Sequence, residues 1–321
     1  MQAEPMGAPV AVLDDVGGQL ARAVAAAGHR PQTWCDDLRD ELATPATARV
    51  TTPDAAVKGA RTVLWRLPRS LSALDEYAQL IAAHADPAVQ VVAGGRVKHL
   101  NRSMNEVLGR HFRQVRASLG HRKARALLAS EPIPTAARWP VSARIESLDL
   151  NVVAHCATFN TTKLDRGTSL LATQFDRLPD AERAIDLGCG SGVLAALLAR
   201  QGKQVTAVDV TWSACESSRL TAAANGLTID VHRRDGLADW PEPANLIVTN
   251  PPFHIGTAKD TSPTRRLFSQ AGAALTPGGE LWCVYNAHLP YLPWLNAAVG
   301  QTSIVARDRG YLVTRSVRPP Y

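Results

Sequence analysis

Two polar turns, each of which follows a short apolar run, constrain the fold of this 321-residue chain most strongly. The first turn is the glycine-rich stretch DLGCGSG at 186–192, and the second is the stretch NPPF at 250–253. Apolar runs of this length end buried parallel strands, and the carboxyl ends of parallel strands meet at one edge of a sheet. The sequence therefore predicts an open α/β sheet that carries both turns at its ligand-binding edge.

The glycine spacing in the first turn indicates which cofactor binds there. Gly188, Gly190 and Gly192 follow the pattern Gly-x-Gly-x-Gly, whereas dinucleotide sites use Gly-x-Gly-x-x-Gly. The helix predicted at 193–200 directs its first amides toward a ligand. Asp186 would repel a pyrophosphate but suits the ammonium of a methionyl group. The turn thus favours S-adenosylmethionine over NAD, and a purely structural turn is the alternative.

Two further acids follow strands of the same predicted sheet. Asp209 comes at the end of the strand predicted at 204–208, where an acid accepts hydrogen bonds from both ribose hydroxyls of a nucleoside. Asp235 follows the strand predicted at 228–232, where it can accept a hydrogen bond from the adenine amino group. A helix cap is the alternative role for Asp209, and a turn residue is the alternative role for Asp235.

The second turn has the groups needed to bind an amine. An exocyclic amine of a base is a poor nucleophile because its lone pair is delocalised into the ring. If the Asn250 side-chain oxygen and the Pro251 carbonyl accept its two N–H bonds, the nitrogen faces the methyl donor, and methyl transfer depends on alignment. Pro251 and Pro252 stiffen the backbone, and Phe253 offers a face for stacking a base that is unpaired or flipped out. An ordinary turn explains the prolines but not Asn250 and Phe253.

At these residues the chain resembles the class I amino-group methyltransferases. Phe253-His254 narrows the resemblance to the ribosomal RNA guanine-N2 methyltransferases, of which type G modifies large-subunit rRNA and type C modifies small-subunit rRNA. The stretches LPRS at 67–70, GGRVKH at 94–99 and SLGHRKAR at 118–125 are similar to the N-terminal signatures of the large-subunit type. The resemblance implies methylation of a guanine in large-subunit rRNA that is largely free of ribosomal protein.

The resemblance also implies roles for residues outside the two turns. In the family, the stretch 158–168 closes over the methionine end of the cofactor, and Asp165 and Gly167 match its Leu-Asp-x-Gly pattern. Thr168 is a candidate cap for the helix that follows. His254 is expected to contact the base or a phosphate. Ala287 stands where the large-subunit type has a basic residue, which leaves the exact nucleotide open.

The first half of the chain has the pattern of a second, degenerate copy of this fold. Residues 9–35 predict strand, turn, helix and strand, but the turn lacks the Gly-x-Gly-x-Gly spacing that lets a cofactor approach the backbone. We therefore predict an α/β protein of two tandem doubly wound, Rossmann-like methyltransferase domains, the second ending in an antiparallel hairpin. The predicted boundaries are 1–130 for a degenerate RNA-binding domain, 131–145 for a proline-containing linker and 146–321 for the catalytic domain.

A basic stretch in the first half indicates a polyanionic partner. Between positions 96 and 125 the chain has nine arginines or lysines and one acid, and its formal net charge is +6. Phosphate contacts explain this bias, and a solvated surface is the alternative. The predicted RNA-binding residues, in addition to His254, are Arg96, Lys98, Arg102, Arg122, Lys123 and Arg125.

Composition limits the remaining possibilities. No apolar run approaches the ~18 residues of a membrane span, and the five cysteines include no Cys-x-x-Cys pair. We expect a cytoplasmic monomer without a metal. Two other classes of function stay open. One is methylation of a different amine, which could belong to a guanine of small-subunit rRNA, an adenine or a protein glutamine. The other is a non-catalytic RNA-binding assembly factor that retains a cofactor pocket.

Overall fold

The computed structural model describes residues 9–251 and 262–320, and the chain forms two compact units, Met1–Trp139 and Pro140–Tyr321. Each unit has one central sheet with helices packed against it. The predicted fold class, two tandem doubly wound α/β domains, is confirmed.

The N-terminal unit contains six strands and five helices within the part of the chain that the structure describes. In chain order they are β1 (Val10–Leu13), α1 (Gln19–Ala26), β2 (Pro31–Trp34), α2 (Leu38–Ala43), α3 (Pro53–Val57), β3 (Thr62–Arg66), α4 (Leu71–His84), β4 (Gln90–Arg96), α5 (Arg102–Leu108), β5 (Phe112–Ala117) and β6 (Ala124–Pro132).

The C-terminal unit begins with a small hairpin and continues into a larger sheet. Its elements are β7 (Val141–Ile145), β8 (Leu150–Ala154), α6 (Arg166–Ala172), β9 (Arg183–Leu187), α7 (Val193–Arg200), β10 (Gln204–Asp209), α8 (Trp212–Ala224), β11 (Asp230–Arg233), β12 (Ala244–Thr249), α9 (Ser262–Ala274), β13 (Leu275–Asn286), α10 (Tyr291–Ala298), β14 (Thr302–Arg307) and β15 (Tyr311–Val317).

The two main sheets share one strand order. The N-terminal sheet runs β2-β1-β3-β4-β6-β5, and the C-terminal sheet runs β11-β10-β9-β12-β13-β15-β14. In both, the early strands pair in parallel, and the last two strands in chain order add an antiparallel hairpin. The orders correspond strand for strand, except that β11 has no counterpart among the described N-terminal residues. The shared strand order is what a duplicated domain is expected to show.

Alternating side chains of the C-terminal strands build two separate cores. Ala184 and Val248 pack under α6 and α7, whereas Ile185 and Ile247 pack under α9 and α10. Because both faces are covered, the strands are apolar at nearly every position and do not alternate with polar residues. Asp186 shares the face of Ala184, so its burial beneath a helix follows directly from the period of the strand.

The structure differs from the predicted linker at 131–145. Glu131 and Pro132 belong to β6, and residues 141–145 form β7, which pairs with β8. The side chain of Gln79 on α4 bonds the backbone of Ala136 and Arg138, and Trp139 donates to Asp75 at 3.2 Å. Pro132 is the last residue of β6, and buried polar groups of α4 hold the backbone that follows it. The boundary between the two units, at 139/140, falls within the predicted linker.

Two other observations concern the described residues. All five cysteines are buried thiols, and burial raises the pKa of each thiol for which a shift is resolved, including Cys189 within the glycine turn. Among the described helices, none combines the length and apolarity needed to cross a bilayer.

Candidate active site

The glycine turn between β9 and α7 lies open on one side. The N–H groups of Gly188 and Cys189 donate to the Val208 carbonyl at 2.8 and 3.1 Å, which fixes the turn against β10. Gly188 has φ +78° and Gly190 has φ +52°, and a Cβ atom built on either meets no atom within 4 Å. These glycines are needed for the backbone conformation, and they leave a ledge on which a ligand can rest against the main chain.

Gly192 has a different role from the other two glycines, because it packs closely against α8. A Cβ atom there would lie 2.7 Å from Ser218 Oγ and 2.9 Å from Ser218 Cα, at φ +80°. We expect Gly192→Ala to lower the free energy of unfolding by about 3 kcal/mol, since it adds overpacking to backbone strain. Gly202→Ala, at φ +79° with open space, is expected to cost only about 1 kcal/mol.

Denaturant unfolding of both variants tests this difference. Equal losses of stability for Gly192→Ala and Gly202→Ala would mean that the contact with Ser218 contributes nothing beyond strain.

Asp186 lies beneath the first turn of α7 and is 1% exposed. Its Oδ2 accepts from the Ala195 N–H at 2.9 Å, and its Oδ1 is buried with no hydrogen-bond partner among the described residues. Burial raises the pKa of Asp186 to about 7, and the nearby charge of Asp209 contributes to this rise. A buried acceptor without a donor is costly, so this oxygen favours a ligand that brings an N–H.

Asp209, at the end of β10, ties the glycine turn to the start of α8. One carboxylate oxygen accepts from Gly190 N–H at 3.2 Å, and the other accepts from the backbone N–H and the hydroxyl of Thr211, each at 2.9 Å. Burial raises the pKa of Asp209, and these hydrogen bonds oppose the rise. The carboxylate is thus oriented beside the turn, and Thr211, not Asp209, occupies the cap position of α8. The predicted contact of Asp209 with the ribose stays a prediction.

Asp235 follows β11 and is engaged by a helix of the same unit. Its Oδ2 accepts from the Arg266 guanidinium at 2.7 Å, while the neighbouring Leu237 N–H donates to Gln270 at 3.1 Å. The loop after β11 is therefore fastened to α9 at two points. In the structure, Asp235 pairs with Arg266. Its predicted contact with adenine stays a prediction.

Asn250, directly after β12, has a fixed side-chain orientation. Its Nδ2 donates to Asp165 Oδ2 at 2.9 Å and to Thr168 Oγ1 at 3.0 Å. Both amide hydrogens are thus used, and Oδ1 is buried without a partner among the described residues. If the amide were flipped, its oxygen would face the carboxylate of Asp165, which has no hydrogen to donate. The side chain presents an acceptor, as the sequence predicts.

The partners of Asn250 come from α6. Asp165, not Thr168, caps this helix, because Asp165 Oδ2 accepts from the Thr168 N–H at 3.1 Å. Gly167 is buried, and a Cβ atom there would lie 2.9 Å from Asp165 Oδ2 and 3.1 Å from the Tyr311 ring. Its absence of a side chain therefore lets α6 approach Tyr311. The sequence singled out Asp165 and Gly167 but missed the contact of Asp165 with the second turn.

The remainder of the second turn is described only in part. Pro251 is buried. Pro252, Phe253 and His254, which the sequence predicts to stiffen the turn, stack a base and contact the nucleic acid, lie outside the described residues.

All nine arginines and lysines of the stretch 96–125 are exposed. Antiparallel pairing of β4 with β6 sets Arg96 opposite Ala124, and the Val97 N–H donates to the Lys123 carbonyl at 3.0 Å. The fold thereby gathers five of the six predicted N-terminal RNA-binding residues at the end of β4 and the tip of the β5–β6 hairpin. Arg102, on α5, pairs instead with Glu106 at 3.5 Å.

Positive charge is concentrated at the end of β4 and the tip of the β5–β6 hairpin. Partial desolvation, followed by the charges of Arg69, Lys98 and Arg96, lowers the pKa of the exposed His99. We refer to Arg96, Lys98, Arg122, Lys123 and Arg125 as the basic corner.

The two halves of the chain match two known protein families. The methyltransferase small domain family matches residues 149–315, and the RLMG N-terminal domain family matches residues 1–133. The chain is 32% identical to the ribosomal RNA large subunit methyltransferase G of Streptomyces avermitilis, an alignment that covers 98% of this chain and 88% of the relative. It is 34% identical to the protein of the same name from Stutzerimonas stutzeri, over 99% and 89% of the two chains.

The chain belongs to the ribosomal RNA large subunit methyltransferase G family.

A solved structure shows the same fold as this member of the family. The T. thermophilus 16S rRNA N2 G1207 methyltransferase (RsmC), in complex with AdoMet and guanosine, superposes with a TM-score of 0.81. The match covers 99% of this chain and 90% of that one at 21% identity.

In this family member, the N-terminal turn that corresponds to the glycine turn is filled by the chain itself. A Cβ atom on Gly18 would lie 2.4 Å from the Ala43 carbonyl, and the Arg22 guanidinium donates to the carbonyls of Gly17 and Ala43. Asp15 accepts from the N–H groups of Leu20 and Ala21 at the start of α1. Where the C-terminal turn leaves an open ledge, the N-terminal turn meets the end of α2, which accounts physically for its predicted degeneracy.

Proposed function

We propose that this protein transfers a methyl group from S-adenosylmethionine to the exocyclic N2 amino group of a guanine in large-subunit ribosomal RNA. The orientation of Asn250 supports the proposal most directly, because both of its amide hydrogens are used internally and its buried oxygen lacks a donor among the described residues. An exocyclic amine is a donor of the required kind. The names of the relatives support large-subunit rRNA as the substrate.

The arrangement acts on the amine by alignment. When the Asn250 oxygen accepts one N–H and the Pro251 carbonyl accepts the other, the nitrogen is held in place. Its lone pair is then directed away from the turn. With the cofactor bound, a nitrogen–carbon bond would form as the carbon–sulfur bond breaks, and the proton released from the nitrogen would pass to solvent water. Such fixed acceptors act in a buried site without reorganisation, which makes them effective.

The residues near the glycine turn fit S-adenosylmethionine. Gly188 and Gly190 leave room against the backbone, Asp209 is oriented for the ribose hydroxyls, and the Asp186 oxygen lacks a donor that an ammonium would supply. Asp165 and Asp235 complete the proposed set, although each already holds a protein partner. When bound, the cofactor supplies an electrophilic methyl group on a sulfonium.

Cofactor affinity is expected to fall as the pH drops below 7. Asp186 has a pKa of about 7, raised by burial from 3.8, so it is protonated below that pH in the cofactor-free protein. An ammonium requires the carboxylate, and binding at lower pH must therefore displace a proton, at a cost of up to about tenfold in affinity per pH unit. Calorimetric titration between about pH 5.5 and 7.5 measures this slope.

Asp186→Asn is the matched variant for this titration. It keeps the acceptor for the Ala195 N–H but cannot ionise, so its affinity should vary little over the acidic range. If cofactor affinity changed with pH in the same way for both proteins, the role of Asp186 would be limited to its hydrogen bond with α7.

We propose that the basic corner of the N-terminal unit contacts rRNA phosphates. Arg122 and Lys123 support this assignment, because they form the two central residues of the β5–β6 hairpin turn with φ +46° and +64°. His121 and Ala124 exchange both backbone hydrogen bonds at 2.8 Å across it. Turns of this kind favour Asn-Gly, so two long basic residues there are kept at a cost in backbone strain. Such phosphate contacts supply affinity and not base choice.

Replacing Arg122-Lys123 by Asn-Gly is expected to stabilise the protein and to weaken RNA binding. The new pair suits the turn and should raise the free energy of unfolding by about 1 kcal/mol. Loss of two phosphate contacts should also reduce the slope of log affinity against log salt by about 1.5. Filter binding of protein-stripped large-subunit rRNA across a salt series, together with denaturant unfolding, measures both effects.

The control removes two positive charges from the amino-terminal side of β2 and β3 instead of from the basic corner. Arg30 and Lys58 are exposed and precede β2 and β3. Arg30→Asn with Lys58→Gly removes the same two charges and should leave the salt slope unchanged. Equal slopes for the two double variants would leave the basic corner as a merely solvated surface.

Methyl transfer from labelled S-adenosylmethionine to protein-stripped rRNA tests the proposed function. Label in RNA supports it. Binding of the cofactor without transfer to RNA would favour the assembly-factor alternative, and label in a protein substrate would favour glutamine methylation.

A further inference from the structure

The segment between β8 and α6 presents an aromatic side chain whose exposure packing does not explain. Phe159 is 63% exposed, although Cys156 and Thr158 beside it are buried. A lone exposed aromatic is common on a loose surface loop. This segment, however, is fixed at both ends to the candidate active site.

The first fixed point lies at the start of α8. The Thr158 hydroxyl donates to the Ser213 carbonyl at 3.0 Å, and the rings of His155 and Trp212 lie 4.9 Å apart between centroids. Trp212 begins α8, three residues after Asp209. The N-terminal side of Phe159 is therefore attached next to the proposed ribose site.

The second fixed point is Asn250 itself. The Asn160 side-chain amide donates to Asp165 Oδ1 at 3.4 Å, and the other oxygen of Asp165 accepts from Asn250 at 2.9 Å. Two hydrogen bonds thus connect the residue after Phe159 to the amide that is proposed to hold the target amine. Along the chain, Phe159 therefore lies between an attachment beside the proposed ribose site and an attachment to Asn250 through Asp165.

The backbone around the ring is strained and held in place. Asn160 and Thr161 both have φ +53°, a conformation that is unusual for two successive residues and an outlier for a β-branched one. Strain of this kind costs on the order of 1–3 kcal/mol per residue and is concentrated at functional sites. Backbone bonds from Thr161 to Thr158 and from Lys163 to Asn160, at 3.0 and 2.9 Å, maintain the turn. The ring is consequently presented on a preorganised support.

We propose that Phe159 is a stacking platform for an unpaired base that adjoins the target guanine in the RNA. This inference rests on the proposed function. A guanine drawn into the site loses its neighbours, and every base has a π face, so an exposed ring beside the site can replace the lost stacking without reading sequence. Lys163, exposed on the same segment, is placed to meet a phosphate of the same strand.

Three variants distinguish ring stacking from bulk. Phe159→Ala removes the ring, Phe159→Leu keeps apolar volume without a π face, and Phe159→Tyr keeps the ring. Steady-state methylation of protein-stripped large-subunit rRNA should show KM for RNA raised about tenfold in the alanine variant and nearly as much in the leucine variant, with the tyrosine variant close to the unaltered protein. Thermal unfolding should be unchanged in all three, and the Kd for S-adenosylmethionine is measured in parallel.

A substrate change completes the test. Once the methylated guanine is mapped, RNAs that lack the base on its 5′ or its 3′ side are compared with intact RNA. Phe159→Ala should have no further effect on the RNA that lacks the stacked base, because both changes remove the same contact.

The outcomes separate this inference from the proposed function. Methylation by the unaltered protein together with an unaffected alanine variant would overturn the stacking role alone. A weakened Kd for S-adenosylmethionine with unchanged KM for RNA would place Phe159 over the cofactor and would also overturn it. If the unaltered protein methylates no RNA, the proposed function fails, and this inference fails with it.

Discussion

Asn250→Ala is expected to lower kcat for rRNA methylation by about 10³-fold while leaving the Kd for S-adenosylmethionine within about threefold. The side chain has its two hydrogens on Asp165 and Thr168 and presents only its oxygen, which is proposed to hold the amine. Its loss removes alignment of the nucleophile but no contact with the adenosyl group. Single-turnover methyl transfer and calorimetric cofactor binding measure the two quantities separately.

Matched variants define what the Asn250 result means. Asn245→Ala removes the same residue type at the other end of β12, where it meets Thr276 at 3.3 Å, and should leave kcat near its original value. Thr168→Val removes one acceptor of the Asn250 amide and should lower kcat several-fold, whereas Thr168→Ser should restore it. An Asn250→Ala variant with undiminished kcat would exclude the proposed role of its oxygen.

Asp209→Ala should have the largest effect on cofactor affinity, a rise in Kd of about 100-fold or more, with kcat at saturating cofactor changed only a few-fold. Two hydrogen bonds from ribose hydroxyls to a carboxylate are together worth about 3 kcal/mol or more. The variant also loses the bonds from Gly190 and Thr211 that set the shape of the turn. Equilibrium dialysis with labelled cofactor measures the change.

Asp230→Ala is the control, because Asp230 is an exposed acid of the neighbouring strand whose partner is His232. It should bind the cofactor normally. A loss confined to kcat in Asp209→Ala, with unchanged Kd, would contradict the assignment of Asp209 to the ribose.

Residues close together in the chain were predicted well from the sequence. The extent of α7 and the positions of Asp186, Asp209 and Asn250 at strand ends all follow from apolar runs and turn residues. These features depend on local chain geometry, and a strand end at a shared sheet edge is a strong constraint.

Contacts between distant segments could not be predicted in the same way. Asp165 and Asn250 are 85 positions apart, and nothing in either segment indicates that α6 brings its cap to the end of β12. The filling of the N-terminal turn by the end of α2 likewise depends on tertiary packing. The near-complete burial of Asp186 was also not predicted from the sequence. An acid at a strand end is expected to be exposed to solvent unless a helix is known to cover it. Proline content did not reveal that parts of the stretch 131–145 belong to β6 and β7, because proline occurs both at strand ends and in free loops.

The N-terminal and C-terminal units show how one strand order serves two purposes. The C-terminal turn keeps an open ledge beside Asp209, whereas the N-terminal turn is closed by Ala43 and Arg22. The first unit has instead collected exposed cations at its hairpin. The proposed cofactor site and the proposed phosphate contacts therefore belong to different units.

Mass mapping of the methylated nucleotide is the most direct test of the proposed function. Protein-stripped large- and small-subunit rRNAs are incubated together with the protein and labelled S-adenosylmethionine, then digested and sequenced by mass spectrometry. We expect one methyl group on N2 of a single guanine in the large-subunit RNA, and no methyl group there with Asn250→Ala. Methyl groups only on small-subunit RNA, on an adenine, or at a ring nitrogen of guanine would contradict it.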